Sequence, residues 1–167
     1  MARKLKVRRK RTIREHALLS IPLLLDNFIR DQPRVVGHPR TTRAVHQMRI
    51  KGKPMRYTME DMESLFSDDF EGYVGDLKQV LELMGNIHEI DVALPLLREQ
   101  LRDLATYNNV VRSRREQIRT ASLRSVMKDL RQRRHILFLE LCQRLTSWKE
   151  SGFRERLTLA MSQTATP

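Results

Sequence analysis

The chain has 167 residues, with 32 Lys and Arg against 20 Asp and Glu, which gives a formal net charge of +12. This length allows one domain with a sizeable core, and the charge favours a polyanionic partner such as nucleic acid, an anionic membrane or polyphosphate. The single cysteine, Cys142, excludes an intrachain disulfide and a multi-cysteine metal site. We expect a cytoplasmic protein, because no apolar run of about 18 residues and no signal-peptide pattern is present.

Only six Gly and six Pro are present, which favours an all-α chain. Residues 1–11 form a predicted flexible basic arm, since seven of the nine residues from Arg3 to Arg11 are basic. This arm either aids solubility or adds affinity for polyanions. A first helix is predicted over 12–30. Its inward face is expected to hold Ile13, Ala17, Ile21, Leu24 and Phe28.

The second predicted helix, 43–66, carries two parallel stripes. The apolar stripe alternates steps of three and four residues, as in a packed helix, and consists of Val45, Met48, Gly52, Met55, Met59, Met62 and Phe66. A basic row begins one residue later, about 100° around the helix, and consists of His46, Arg49, Lys53 and Arg56. This row is either a solvated flank whose aliphatic stems cover the apolar stripe or the contact surface for an anion. Pro54 predicts a kink.

Two further long helices and a short one complete the predicted fold. After a break at 67–75, the third helix is predicted over 76–104, and after a turn at 107–109 the fourth is predicted over 110–148. The tail, 149–167, is expected to add a short helix around 154–161. The apolar stripe of the fourth helix is Leu123, Val126, Leu130, Leu137, Leu141, Leu145 and Trp148. Four helices with short connections predict an antiparallel four-helix bundle over 12–148.

Long segments of the chain differ in the sign of their net charge. Residues 1–56 hold sixteen basic and three acidic side chains, residues 60–91 hold one basic and ten acidic, and residues 98–134 hold eleven basic and four acidic. In an up-and-down bundle the two basic segments would meet at one end of the molecule. Arg134 interrupts the apolar stripe of the fourth helix, so it needs a partner, either an acidic side chain or a bound anion.

Three sequence blocks resemble the conserved-histidine α-helical domain family, known as CHAD. The first runs from His46-Gln-Met-Arg49-Ile to Lys53-Pro-Met-Arg56-Tyr57, the second is Leu83-Met-Gly-Asn-Ile-His-Glu-Ile-Asp-Val92, and the third is Leu130-Arg-Gln-Arg-Arg-His-Ile-Leu-Phe138. Together they span roughly residues 44–145, in the order that the family has. A typical member carries two homologous halves, whereas this chain has one copy of each block. The resemblance therefore implies one half-length unit, and we expect two copies to pair as a homodimer in place of the tandem halves.

The resemblance implies non-catalytic binding of inorganic polyphosphate, at polyphosphate granules in the cytoplasm. We expect a basic groove on the second and fourth predicted helices. Its expected polyphosphate-binding residues are His46, Arg49, Lys53, Arg56, Arg112, Arg115, Arg119, Arg124, Lys128, Arg131 and Arg134. Arg offers a planar fork that matches phosphate oxygens, and Lys adds a mobile point charge. His46 either donates a hydrogen bond to phosphate or bonds to Glu89 or Asp91.

Three other functions remain open: sequence-nonspecific nucleic-acid binding by the same surface, phosphate transfer or hydrolysis, and a purely structural role. Few aromatic residues are present for base stacking, which ranks nucleic acid second. We expect no catalytic residue, no metal site and no cofactor, because the sequence has neither a phosphate-binding glycine loop nor a nucleophile motif. His88, Glu89 and Asp91 are spaced poorly for a metal, and an ion pair between the acidic residues and the second predicted helix is the favoured alternative.

Overall fold

The computed structural model describes residues 11–111 and 113–163, and within these ranges the chain contains helices and no strand, which confirms the all-α class. The elements are α1 (Ile13–Ile29), α2 (Gln32–Val35), α3 (Thr42–Asp61), a 3₁₀ turn (Glu63–Leu65), α4 (Asp69–Val110), α5 (Ala121–Glu150) and α6 (Phe153–Ser162). The predicted first to fourth helices correspond to α1, α3, α4 and α5. Residues 1–10 of the predicted basic arm lie outside the described ranges, as does Arg112.

The start of α1 is set by a reciprocal pair of cap hydrogen bonds. The Glu15 backbone N–H donates to Thr12 Oγ1 at 3.2 Å, and the Thr12 N–H donates to Glu15 Oε2 at 2.7 Å. The buried face of α1 is Ala17, Ile21, Leu25 and Phe28. Leu25 therefore takes the place predicted for Leu24, and Ile13 is exposed.

The predicted apolar stripe of α3 is buried. Its fully enclosed members are Val45, Met48, Gly52, Met55 and Met59. At Gly52, α3 approaches its neighbours so closely that an added Cβ would lie 2.8 Å from Phe28 Cε2 and would also overlap Leu81 Cδ2. The helix continues through Pro54 without interruption.

The third predicted helix, α4, is longer than the sequence predicted. It spans 42 residues, or about 63 Å, and includes Gly72 and Gly75, where the prediction placed a break. Phe70, Val74 and Leu77 form a buried stripe in this segment, and burying them outweighs the small helix penalty of the glycines.

The fourth predicted helix, α5, starts later than predicted, because a loop follows α4, of which residues 113–120 are described. The Asn108 side chain closes this loop: its Oδ1 accepts from the Ile118 backbone N–H at 2.8 Å, and its Nδ2 donates to the Ile118 carbonyl at 2.9 Å. These bonds satisfy backbone groups that a continuing helix would otherwise pair.

The long helices pack in chain order, α1 on α3, α3 on α4, and α4 on α5, and α6 closes the core against α1, α4 and α5. Helices α3 and α4 are antiparallel, since His46 stacks on His88 while Gly52 approaches Leu81. Helices α4 and α5 are antiparallel as well: Arg144 of α5 bonds Gln79 of α4, while Arg134 bonds Asp91 further along α4. Since α3 and α5 each pack on α4 and hardly touch one another, α4 separates them. None of the described helices combines the length and apolar character of a membrane span.

Helices α4 and α5 extend as a pair past the start of α3, and this part is called the α4–α5 hairpin here (residues 92–111 and 113–133). A small core of its own holds it together, built from Ile90, Leu94 and Met127 with Leu97, Leu101, Leu123 and Leu130 around them. His88 is level with His46 near the start of α3, and α4 runs 22 residues further to Val110, or about 33 Å. The two basic segments do meet, because Arg134 donates to the Pro39 carbonyl, although most of the second segment lies further out, on the hairpin.

Candidate functional site

The basic row of α3 opens onto a groove between α3 and α4. The groove has a volume of about 490 Å³ and is lined by Arg49, Lys53, Arg56, Tyr57, Lys78, Leu81, Glu82, Gly85, Asn86 and Glu89. The lining of the groove thus contains four basic and two acidic side chains. Three of the predicted binding residues, Arg49, Lys53 and Arg56, meet here because their four- and three-residue spacing aligns them on one side of α3.

Gly85 of α4 lets the Arg49 guanidinium lie against the helix. A Cβ added at Gly85 would be 3.5 Å from Arg49 Nε and 3.6 Å from its Nη2, which is ordinary van der Waals contact. Alanine would therefore fit, whereas a longer side chain would displace the guanidinium. Gly85 belongs to the second sequence block, but only the structure shows that it faces Arg49.

The cations of the groove differ in their pairing. Within the described part of the chain, Arg49 and Lys53 have no carboxylate oxygen within 4.0 Å. Arg56 Nε lies 3.6 Å from Glu60 Oε2, and Lys78 Nζ lies 3.3 Å from the other oxygen of the same carboxylate. Arg49 and Lys53 are therefore the cations most available to an external anion.

Two stacked histidines lie one turn from Arg49. The rings of His46 and His88 have centroids 4.4 Å apart and planes 24° apart, and the Nδ1 atoms of both are buried without a hydrogen-bond partner among the described residues. Burial lowers the pKa of His88, and the neighbouring His46 and Arg49 lower it further. The predicted bond from His46 to Glu89 or Asp91 is not what the structure shows, since His46 stacks on His88 and does not line the groove.

Arg134 has an acidic partner. Its Nε donates to Asp91 Oδ1 at 2.5 Å, its Nη2 donates to Asp91 Oδ2 at 3.1 Å, and its Nη1 donates to the Pro39 carbonyl at 2.6 Å. The side chains are only 14% and 8% exposed. Of the two partners predicted for Arg134, the structure shows the acidic side chain, so its guanidinium is already paired. Asp91 is thereby committed to α5 rather than to the basic row.

The other predicted cations lie elsewhere. Arg115 and Arg119 are exposed in the loop between α4 and α5, and so do not extend a helical row. Arg124, Lys128 and Arg131 are exposed on α5, which α4 separates from α3, and none of them lines the groove. The predicted groove on the second and fourth helices is therefore wrong: the groove lies between the second and third predicted helices.

The chain matches the model of one protein family. The CHAD domain model matches residues 2–98, which is more than half of the chain. The chain belongs to the CHAD domain family. No curated protein and no solved structure matches the chain.

The matched part of this CHAD protein includes α1, α3 and the first 30 of the 42 residues of α4, and thus all residues that line the groove. The two sequence blocks that resemble CHAD most closely face each other across the α3–α4 contact, where Arg49 meets Gly85 and His46 stacks on His88. The third block, residues 130–138 on α5, lies outside the match.

Proposed function

We propose that this CHAD protein binds inorganic polyphosphate, without catalysis, in the groove between α3 and α4. The observation that carries the proposal is the row of Arg49, Lys53 and Arg56 on one wall of one groove, with Arg49 and Lys53 free of carboxylates among the described residues. Their spacing of about one helical turn each, roughly 5–6 Å, allows successive contacts along a linear phosphate chain.

Each cation has a distinct role in this proposal. The Arg49 guanidinium lies against Gly85 and offers a planar fork of donors to phosphate oxygens, and Lys53 supplies an exposed, mobile charge. The Arg56 guanidinium lies 4.9 Å from the Tyr57 ring centroid and is only loosely bound to Glu60, so a phosphate can replace that carboxylate.

The acidic side chains of the groove support binding rather than phosphate transfer. Glu82 and Glu89 are seven residues apart on α4, which separates them by about 10 Å along the helix. Carboxylates at that distance do not share one Mg²⁺ ion, as phosphoryl transfer would require. We propose a protein of the cytoplasm, as the sequence predicts, located at polyphosphate granules, as the family resemblance implies.

Titration with polyphosphate at several salt concentrations tests the proposal. For a short chain that fills only the groove, three phosphate contacts predict a slope of about −2 for log K against log salt, and affinity is expected to rise with chain length. Duplex DNA at equal phosphate concentration is expected to compete poorly. Equal affinity for short and long chains, displacement by DNA, or release of phosphate in the presence of Mg²⁺ would contradict the proposal.

We also propose that two copies pair as a homodimer. Val92 and Leu96 on the α4–α5 hairpin are 50% and 56% exposed, just where α3 no longer covers α4, and such apolar side chains favour a protein partner. Light scattering is expected to give a dimer for the wild type and a monomer for Leu96→Glu. A wild-type monomer at micromolar concentration would refute the pairing.

A further inference from the structure

The α4–α5 hairpin carries a second basic surface, well away from the groove. On α4, Arg98 and Arg102 follow Met84 by fourteen and eighteen residues, which are close to four and five complete turns. Met84 is fully buried in the main core. Arg98 and Arg102 therefore lie on the core side of α4, at a level where α1 and α3 no longer cover it, and both are exposed.

The cations of α5 lie on the same side of the hairpin. Arg124, Lys128, Arg131 and His135 form a row with steps of four, three and four residues, and the row continues seven residues later at Cys142. Cys142 packs against the main core. Arg144 and Glu140 mark the other flank of α5, where Arg144 bonds Gln79. The row therefore extends the core side of α5 beyond the body of the protein.

The row on α4 and the row on α5 lie side by side on this surface of the hairpin. Arg134 bonds Asp91 and Asn108 bonds Ile118, and this antiparallel register places Arg98 level with Lys128 and Arg102 level with Arg124. Packed helices lie about 8–10 Å apart, so the four cations form a compact quartet. None of them has a carboxylate oxygen within 4.0 Å in the described part of the chain. Like charges at this separation repel, and the hairpin gains no packing from them.

We propose that this quartet is a second contact for the polyphosphate chain and that it sets the preference for long chains. The inference rests on the proposed function of the groove. Arg98 and Arg102 are thirteen and seventeen residues along α4 from Gly85, or about 20–25 Å. The exposed Arg40 follows Pro39, whose carbonyl bonds Arg134, and therefore lies close to α5 near the start of α3. A long chain can pass the start of α3 and occupy both surfaces, whereas a short one occupies one.

The test compares two variants that each lose three positive charges. Arg98→Gln/Arg102→Gln/Arg124→Gln removes most of the quartet, and Arg30→Gln/Arg133→Gln/Lys149→Gln removes exposed cations that belong neither to the quartet nor to the groove. For the quartet variant, Kd for long-chain polyphosphate is expected to rise about tenfold more than for the control. Kd for tripolyphosphate is expected to change no more than in the control. The salt slope for long chains should become shallower by about 2.

The outcomes separate the two proposals. If both variants bind long chains equally well, while loss of Arg49, Lys53 and Arg56 still abolishes binding, the quartet inference is overturned and the groove proposal stands. If the wild type binds no polyphosphate, both fail. Circular dichroism and thermal unfolding establish that each variant is folded, and the single change Arg102→Gln, expected to produce a smaller loss in the same direction, provides a second measurement.

Discussion

Replacing Asp91 with Asn is expected to lower the free energy of unfolding by about 3 kcal/mol. The change leaves the Arg134 guanidinium without its countercharge at a site where the two side chains are 14% and 8% exposed. A buried charge that loses its partner keeps the cost of desolvation and loses the attraction that offset it. The midpoint of thermal unfolding should fall by about 10 °C for a chain of this size.

The matched control is Asp26→Asn. Asp26 also binds an arginine through two hydrogen bonds, to Arg154 at 2.6 and 3.1 Å, but that pair is 45% and 40% exposed. Its loss should cost less than about 1 kcal/mol. The double variant Asp91→Leu/Arg134→Met should recover most of the stability and bind polyphosphate as the wild type does. Equal effects of Asp91→Asn and Asp26→Asn would refute the structural role of this pair.

Gly52→Ala is expected to destabilise the protein by about 1–3 kcal/mol, although alanine is the better helix former by about 1 kcal/mol. The new Cβ would overlap Leu81 Cδ2 and lie 2.8 Å from Phe28 Cε2, and Phe28 is fully buried. Relief of this overlap requires α3 to move away from α1 and α4, which disturbs the buried contacts between these helices. Chemical denaturation of the two proteins measures the difference.

Gly75→Ala provides the opposite result. Gly75 lies inside α4, and a Cβ added there would meet nothing within 4 Å. Only the helix propensity changes, so this variant should be more stable than the wild type by about 1 kcal/mol. If Gly52→Ala is stabilising as well, the close contact at Gly52 is not a constraint on the fold.

The sequence predicted α3 well because a single periodic pattern determines its packing. The stripe from Val45 to Met59 repeats over several turns and is buried throughout, and the basic row beside it had to share one side of the helix. The position of Arg49, Lys53 and Arg56 on a common surface therefore followed from spacing alone.

The ends of α4 could not be predicted in this way. Gly72 and Gly75 resemble a local break, and only their buried neighbours in the folded protein make a helix favourable there. At the other end, the loop depends on Asn108, which bonds a residue ten positions away. Local propensity does not contain such contacts, and the misplaced loop led to the misplaced Arg115 and Arg119.

The partner of Arg134 shows a different limit. A cation in an apolar stripe signals that a partner exists, but the choice between a carboxylate and a bound anion depends on what the neighbouring helix places opposite it. The antiparallel register of α4 and α5 places Asp91 there. The same register brings together the quartet of Arg98, Arg102, Arg124 and Lys128.

The most direct measurement is calorimetric titration of long-chain polyphosphate at physiological salt into the wild type and Arg49→Gln/Lys53→Gln/Arg56→Gln. The control is Arg30→Gln/Arg133→Gln/Lys149→Gln, which loses the same net charge outside the groove. We expect the groove variant to bind at least about tenfold more weakly than this control, because charge-assisted hydrogen bonds are lost. Equal affinity of the two variants would mean that net charge alone attracts the anion and that the groove is not its site.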